Sequence, residues 1–130
     1  MKIARPLLDE ILDHARRDLP NECCGAVAVR DGEAVKVYAL KNEAASPYRF
    51  SLGIDLFHAL EDIEDAGAEL GAIYHSHPRT EAYPSLTDMA WSEQYPDAEW
   101  VIVGHVDTEP VVRSFRVTKQ DVEEVELEVR

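Results

Sequence analysis

Leu70-Gly71-Ala72-Ile73-Tyr74-His75-Ser76-His77-Pro78 is the stretch that decides how this chain folds. Its first half is apolar without alternation, as in a central strand covered on both faces. Its second half turns polar, so the strand delivers two histidines at its C-terminal end. In extended chain, residues i and i+2 point to the same side, roughly 7 Å apart along the backbone. His75 and His77 can therefore converge on one ion at Zn–N distances of about 2.0 Å. Taken alone, a His-x-His pair reads most simply as polar residues leaving a buried strand. The strand-end position, Pro78 and the sequence downstream favour the metal.

Downstream lies Ser85-Leu86-Thr87-Asp88, with Asp88 eleven residues past His77. A carboxylate from the first turn of a helix would complete an N/N/O ligand set. Zinc held by three protein ligands keeps a fourth position for water, which separates catalytic from structural sites. Ser-x-x-Asp also reads as a capping box, with Ser85 as N-cap. The roles are compatible, because a hydroxyl at a helix start sits where anions are favoured and a developing oxyanion is one.

Working outward, Leu8, Ile11, Leu12, Ala15 and Leu19 recur at helical spacing between Pro6 and Pro20 and predict a first helix. Cys23 to Val29 and Ala34 to Leu40 read as strands joined at Asp31-Gly32, a hairpin signal. Lys41 to Arg49 reads as a loop, with a short strand expected at Tyr48 to Leu52. A second helix follows from Ile54 to Ala66, and Gly67 stops it. Leu86 to Gln94 predicts a short helix, and Trp100 to Val103 and Val111 to Val117 predict two further strands. The order gives an α/β class, a single-domain mixed sheet flanked by helices over residues 1–130.

Composition narrows the partners. At 130 residues the chain can bury a core without disulfides, and adjacent Cys23 and Cys24 rarely meet disulfide geometry. They read as small apolar residues, one of them facing the core. The net charge of -13, with no basic cluster, argues against nucleic acid. No long apolar run or signal pattern is present, so the expectation is no membrane and a cytoplasmic setting. Asp121 to Glu128 reads as an acidic, solvated tail. The sequence leaves a homodimer open.

A catalytic zinc also calls for a general base. Glu22, ahead of Cys23-Cys24-Gly25, is one acid among many, and spacing alone does not select it. Taken together, however, Glu22, His75-Ser76-His77, the seven residues Pro78 to Pro84, and Ser85-Leu86-Thr87-Asp88 resemble the signature of the JAMM (MPN+) metalloproteases. That signature is Glu, His-x-His, seven residues, Ser-x-x-Asp. The resemblance implies a cytidine-deaminase-like sandwich and one zinc ion held by His75, His77 and Asp88. It implies Glu22 as general base and Ser85 as oxyanion donor, acting on an amide or isopeptide bond after a Gly-Gly-type tail.

His14 to Asp18, Glu22 to Gly25 and Glu81 to Ser85 resemble the short bacterial members, among which are hydrolases that free cysteine from a ubiquitin-like sulfur-carrier protein. The expected partner is thus a ubiquitin-like or sulfur-carrier tail, and the chain is short for the insertions that recognise ubiquitin itself. Two other readings stay open: a binding module without catalysis, and a peptidase of small cell-wall or other peptides. Of the remaining residues, Arg79, Thr80, Glu81 and Tyr83 are candidate substrate contacts, and Trp91 is a candidate cleft wall.

Overall fold

A computed structural model describes residues 1–130. In chain order the elements are β1 (Lys2–Ile3), α1 (Arg5–Asp18), β2 (Cys24–Arg30), β3 (Glu33–Leu40), α2 (Ile54–Asp65), β4 (Glu69–His77), α3 (Leu86–Trp91), β5 (Glu99–Gly104), β6 (Val111–Val117), β7 (Val122–Val125) and β8 (Glu128–Val129). A 3₁₀ turn, Ser92–Gln94, extends α3. All eight strands form one mixed sheet in the order β7-β6-β5-β4-β2-β3-β1-β8.

Alternation along the central strands gives the sheet a core on each face. Tyr74, Val101 and Val103 pack with Leu8, Ile11 and Ala15 of α1. Ile73, Trp100 and Ile102 pack with Leu56 and Ala59 of α2 on the other. A strand covered on both sides has no polar face to show, which is why β4 reads as an unbroken apolar run. Cys23 and Cys24 follow the same alternation and are both fully buried, one in each core. The expectation that only one would face a core fails because there are two cores.

Register then sets up the site. β4 runs parallel to β5, pairing His75 with Ile102, and antiparallel to β2, pairing His75 with Cys24. The end of β4 therefore meets the beginning of β2, and Glu22 arrives beside the histidines although 53 residues separate it from His75. At the β2–β3 hairpin, Asp31 and Gly32 both take left-handed φ values, 52° and 77°, as a two-residue turn matched to strand twist requires.

Two local expectations change, and one short strand is added. Tyr48–Leu52 forms no strand but belongs to a loop gathered around Asn42. The segment read as an acidic tail supplies β7, in which two exposed glutamates lie between half-buried valines, and the start of the exposed β8. β1 is too short to give a periodic signal; it pairs in parallel with both β3 and β8.

Candidate active site

Three ligand-type atoms converge at the end of β4. His75 Nε2 lies 3.2 Å from His77 Nε2 and 3.0 Å from Asp88 Oδ2, and His77 Nε2 lies 3.5 Å from the same oxygen. Atoms bound tetrahedrally to zinc at about 2.0–2.2 Å lie roughly 3.3–3.6 Å from one another. The triangle fits such an ion with little adjustment. Glu22, His75 and His77 also gather, each offering an atom within 4.8 Å of the others. The two groupings share the histidines and differ in the carboxylate, and the tighter one contains Asp88.

Each side chain is held by its surroundings. His77 Nδ1–H donates to the Glu81 carbonyl at 2.8 Å, which turns the Nε2 lone pair toward Asp88 and His75. The loop bearing that carbonyl lies directly on β5, because a Cβ at Gly104 would meet the backbone nitrogen of Ala82. His75 is oriented by packing: its ring stacks on Phe50 at 4.6 Å and meets Trp100 edge-on. Asp88 Oδ2 accepts from the Ser85 N–H at 2.8 Å, and Ser85 Oγ accepts from the Asp88 N–H at 3.1 Å, a complete capping box. A hydroxyl that accepts here still has its own proton to donate.

Glu22 is fixed through its backbone. Its N–H donates to the Ser46 carbonyl at 2.9 Å, and its carbonyl accepts from Asn42 Nδ2 at 3.0 Å. On the next residue, the Cys23 N–H donates to Ser76 Oγ at 2.8 Å. Ser76 lies between the two histidines and points to the opposite face of β4, so one strand aims the histidines and anchors the segment bearing Glu22.

The two buried carboxylates are driven apart. Burial pushes the Glu22 carboxyl up to about 8, against the opposing pull of His77. Burial acts in the same sense on Asp88, but the charge of His75 and hydrogen bonds from His75, His77 and the Ser85 N–H outweigh it and hold Asp88 well below the usual carboxylate range. His77 is raised: burial opposes its charge, and Asp88 and the Glu81 carbonyl outweigh that penalty. Carboxylates separated this way divide into a proton carrier and a fixed charge.

A cleft of about 260 Å³ opens over this group, lined by Glu22, His77, Ser85, Asp88 and segments 47–50 and 78–80. Arg79 and Thr80 line it as expected. Glu81 instead serves His77 through its carbonyl, Tyr83 packs on Phe115, and Trp91 reaches the site only through Phe50. Sequence reasoning missed Asn42, Arg49 and Phe50, which carry no periodic or metal-ligand signal. The Asn42-Glu43-Ala44-Ala45-Ser46-Pro47 run ahead of Arg49 and Phe50 reads as an ordinary loop.

A family profile, prokaryotic homologs of the JAB domain, matches residues 4–118. The chain belongs to this family. The JAB-domain protein is 35% identical over 134 residues to the CysO-cysteine peptidase of Mycobacterium tuberculosis, spanning 98% of this chain and 89% of that one. It is 39% identical over 98 residues to a desampylase of Haloferax volcanii, spanning 68% of this chain and 69% of the other. Its fold superposes on the solution structure of a Desulfitobacterium hafniense protein with a TM-score of 0.87 at 33% identity, over 100% and 93% of the two chains. It is a hydrolase of the JAB/JAMM metalloprotease-like type, and none of its helices is long and apolar enough to cross a membrane.

Proposed function

We propose that this protein is a zinc-dependent peptidase that cleaves the amide bond following the C-terminal tail of a ubiquitin-like or sulfur-carrier protein. The observation that carries the reading is the triangle of His75 Nε2, His77 Nε2 and Asp88 Oδ2, with edges of 3.0–3.5 Å, beside a buried Glu22. Relatives named CysO-cysteine peptidase and desampylase support the substrate class, and the first of them favours cysteine as leaving group.

His75, His77 and Asp88 hold the zinc in this reading. The bound metal supplies Lewis-acid activation of water and of the scissile carbonyl at neutral pH. Glu22 takes a proton from the attacking water and hands it to the leaving amine nitrogen. Burial raises this carboxyl, which favours its holding the proton between the two halves of the transfer. Ser85 Oγ–H donates to the carbonyl oxygen as it gains charge, a contribution of about 3 kcal/mol. Capping does not interfere, since the cap uses the hydroxyl only as acceptor.

The tail lies over the strand ends. Both true sheet edges are remote, β7 three places from β4 and β8 four, so adding a strand to the sheet would not bring a scissile bond to the cleft. The cleft volume falls below the ~300–1,000 Å³ of pockets for drug-sized ligands and suits glycines better than bulky side chains.

The test is cleavage of Gly-Gly-ending carrier adducts by zinc-loaded protein, with Glu22→Gln and chelated protein as controls. Release of the amine, lost in both controls while Glu22→Gln still binds one zinc, is the expected result. One bound zinc with no adduct cleaved would overturn the substrate assignment, and full activity in Glu22→Gln would overturn the assigned base.

A further inference from the structure

Two cationic cleft residues have no part in the chemistry above. Arg49 and Arg79 both line the cleft, and both are exposed. Six of the nine arginines pair with a carboxylate or a backbone carbonyl. Arg49, Arg79 and Arg116 have no such partner, although acidic residues outnumber basic ones 26 to 13. Arg116 lies on β6, outside the cleft.

Arg49 is tied to Glu22. Asn42 is buried and uses its whole amide: Nδ2 donates to the Glu22 and Arg49 carbonyls, each at 3.0 Å, and Oδ1 accepts from the Ala44 and Ser51 N–H groups, each at 3.0 Å. One side chain thus clips the segment bearing Arg49 to the segment bearing Glu22. Arg79 follows His77 on another loop and has no hydrogen bond to the Glu22 segment.

Position relative to Glu22 decides what Arg49 can meet. Resting on the reading of Glu22 as the proton donor, the leaving nitrogen lies at its carboxyl. When the leaving group is a single amino acid, its α-carboxylate stands two bonds from that nitrogen. Such an anion has to enter a cleft holding two carboxylates, on a protein of net charge -13. The unpaired Arg49 side chain, carried on the segment that Asn42 holds by its backbone carbonyl, supplies the countercharge and can donate to both oxygens at once. A lysine side-chain isopeptide has no carboxylate at that distance and gains nothing from it.

We propose that Arg49, positioned by Asn42, is the leaving-group specificity residue, binding the free α-carboxylate of a single amino acid joined to the carrier's C-terminal glycine. Water adds to the glycine carbonyl carbon, the C–N bond breaks, and the nitrogen leaves protonated as the amine of the free amino acid. Arg49 acts on selection and not on bond breaking.

The experiment uses one ubiquitin-fold carrier ending Gly-Gly, extended by a single residue either as the free acid or as its carboxamide. Zinc-loaded protein should prefer the acid by about 10- to 100-fold in kcat/KM. Arg49→Gln should bring the two rates together by lowering the acid rate alone, Arg49→Lys should keep part of the preference, and Arg79→Gln should keep most of it. In Glu22→Gln protein, which binds without cutting, calorimetric affinities should show the same acid preference and the same loss on adding Arg49→Gln. Equal rates for acid and amide in the wild type, or an undiminished preference in Arg49→Gln, would overturn the assignment. Cleavage of neither adduct would overturn the carrier-tail substrate assignment, and the role of Arg49 with it.

Discussion

Ser76 Oγ accepts a hydrogen bond from the Cys23 N–H at 2.8 Å, and the Ser76 N–H donates to the Cys23 carbonyl at 3.2 Å. This two-way link joins the residue between the histidines to the residue after Glu22. Ser76→Ala leaves a fully buried N–H without a partner, at a cost of about 1–3 kcal/mol. The histidines and Asp88 are untouched, so one zinc per chain should still bind while kcat falls about 10-fold as Glu22 shifts. Zinc stoichiometry, urea midpoint and kcat measured together check this; lost zinc with unchanged kcat per zinc would contradict it.

The choice between Asp88 and Glu22 as third ligand can be made without activity. An ion that binds only the folded chain stabilises it by about 4 kcal/mol at a thousandfold excess over Kd. Zinc should raise the melting temperature of the wild type and of Glu22→Gln alike. His77→Ala and Asp88→Asn should lose most of that increment. If Glu22→Gln loses it and Asp88→Asn keeps it, the looser grouping is the binding site. Thermal melts with and without chelator give the answer.

Much of this site was legible because its chemistry needs particular residue types at fixed spacing. His75 and His77 share a face because strand side chains alternate, and Ser85 and Asp88 meet because a first helical turn brings N-cap and N3 together. Glu22 was legible only through the family pattern, since its approach depends on the Cys24–His75 register of a long-range antiparallel pair. Asn42 and Phe50 were not legible at all. Both work through contacts that only the closed loop creates, and an asparagine in a loop has many uses. The strands at Val122–Val125 and Glu128–Val129 were hidden by their charge, because edge strands tolerate glutamate on an exposed face.

His14 gives the fold an acid-sensitive joint away from the cleft. It is buried, its Nδ1 bonds to the Tyr74 hydroxyl at 2.7 Å, and its Nε2 lies 3.2 Å from Asp18. Burial lowers it below its ordinary 6.5, assisted by Arg17 and opposed by Asp18. The unfolded chain therefore takes up this proton first as pH falls. The stability linked to His14 is complete above pH 6.5 and is lost as pH drops from there through the lowered folded value. Glu22 slopes the other way, because its carboxyl is raised on folding, so the test is a difference. Between about pH 8 and pH 5 the urea midpoint of the wild type should fall more than that of His14→Gln. Parallel curves would remove His14 from the acid response.

Gly104 carries the last prediction, because it supports the proposed metal site without touching it. A Cβ there would run into the Ala82 backbone nitrogen and the Glu81 carbonyl carbon, and backbone cannot rotate aside as a side-chain tip can. The 81–82 segment must lift, taking with it the carbonyl that accepts from His77 Nδ1. Removing such a support from a metal-binding histidine typically costs 10–100-fold in affinity, and crowding of this kind costs about 1–3 kcal/mol in stability. Gly104→Ala should therefore weaken zinc binding about 10-fold or more and lower kcat at subsaturating metal. Gly32→Ala is the control: with φ at +77° it strains the hairpin turn but has open space around it, far from the cleft. It should lower the urea midpoint and leave zinc affinity unchanged. Competition titration against a chromophoric chelator separates the two variants, and equal zinc affinity in both would show that the Glu81 carbonyl does not hold His77 for the metal.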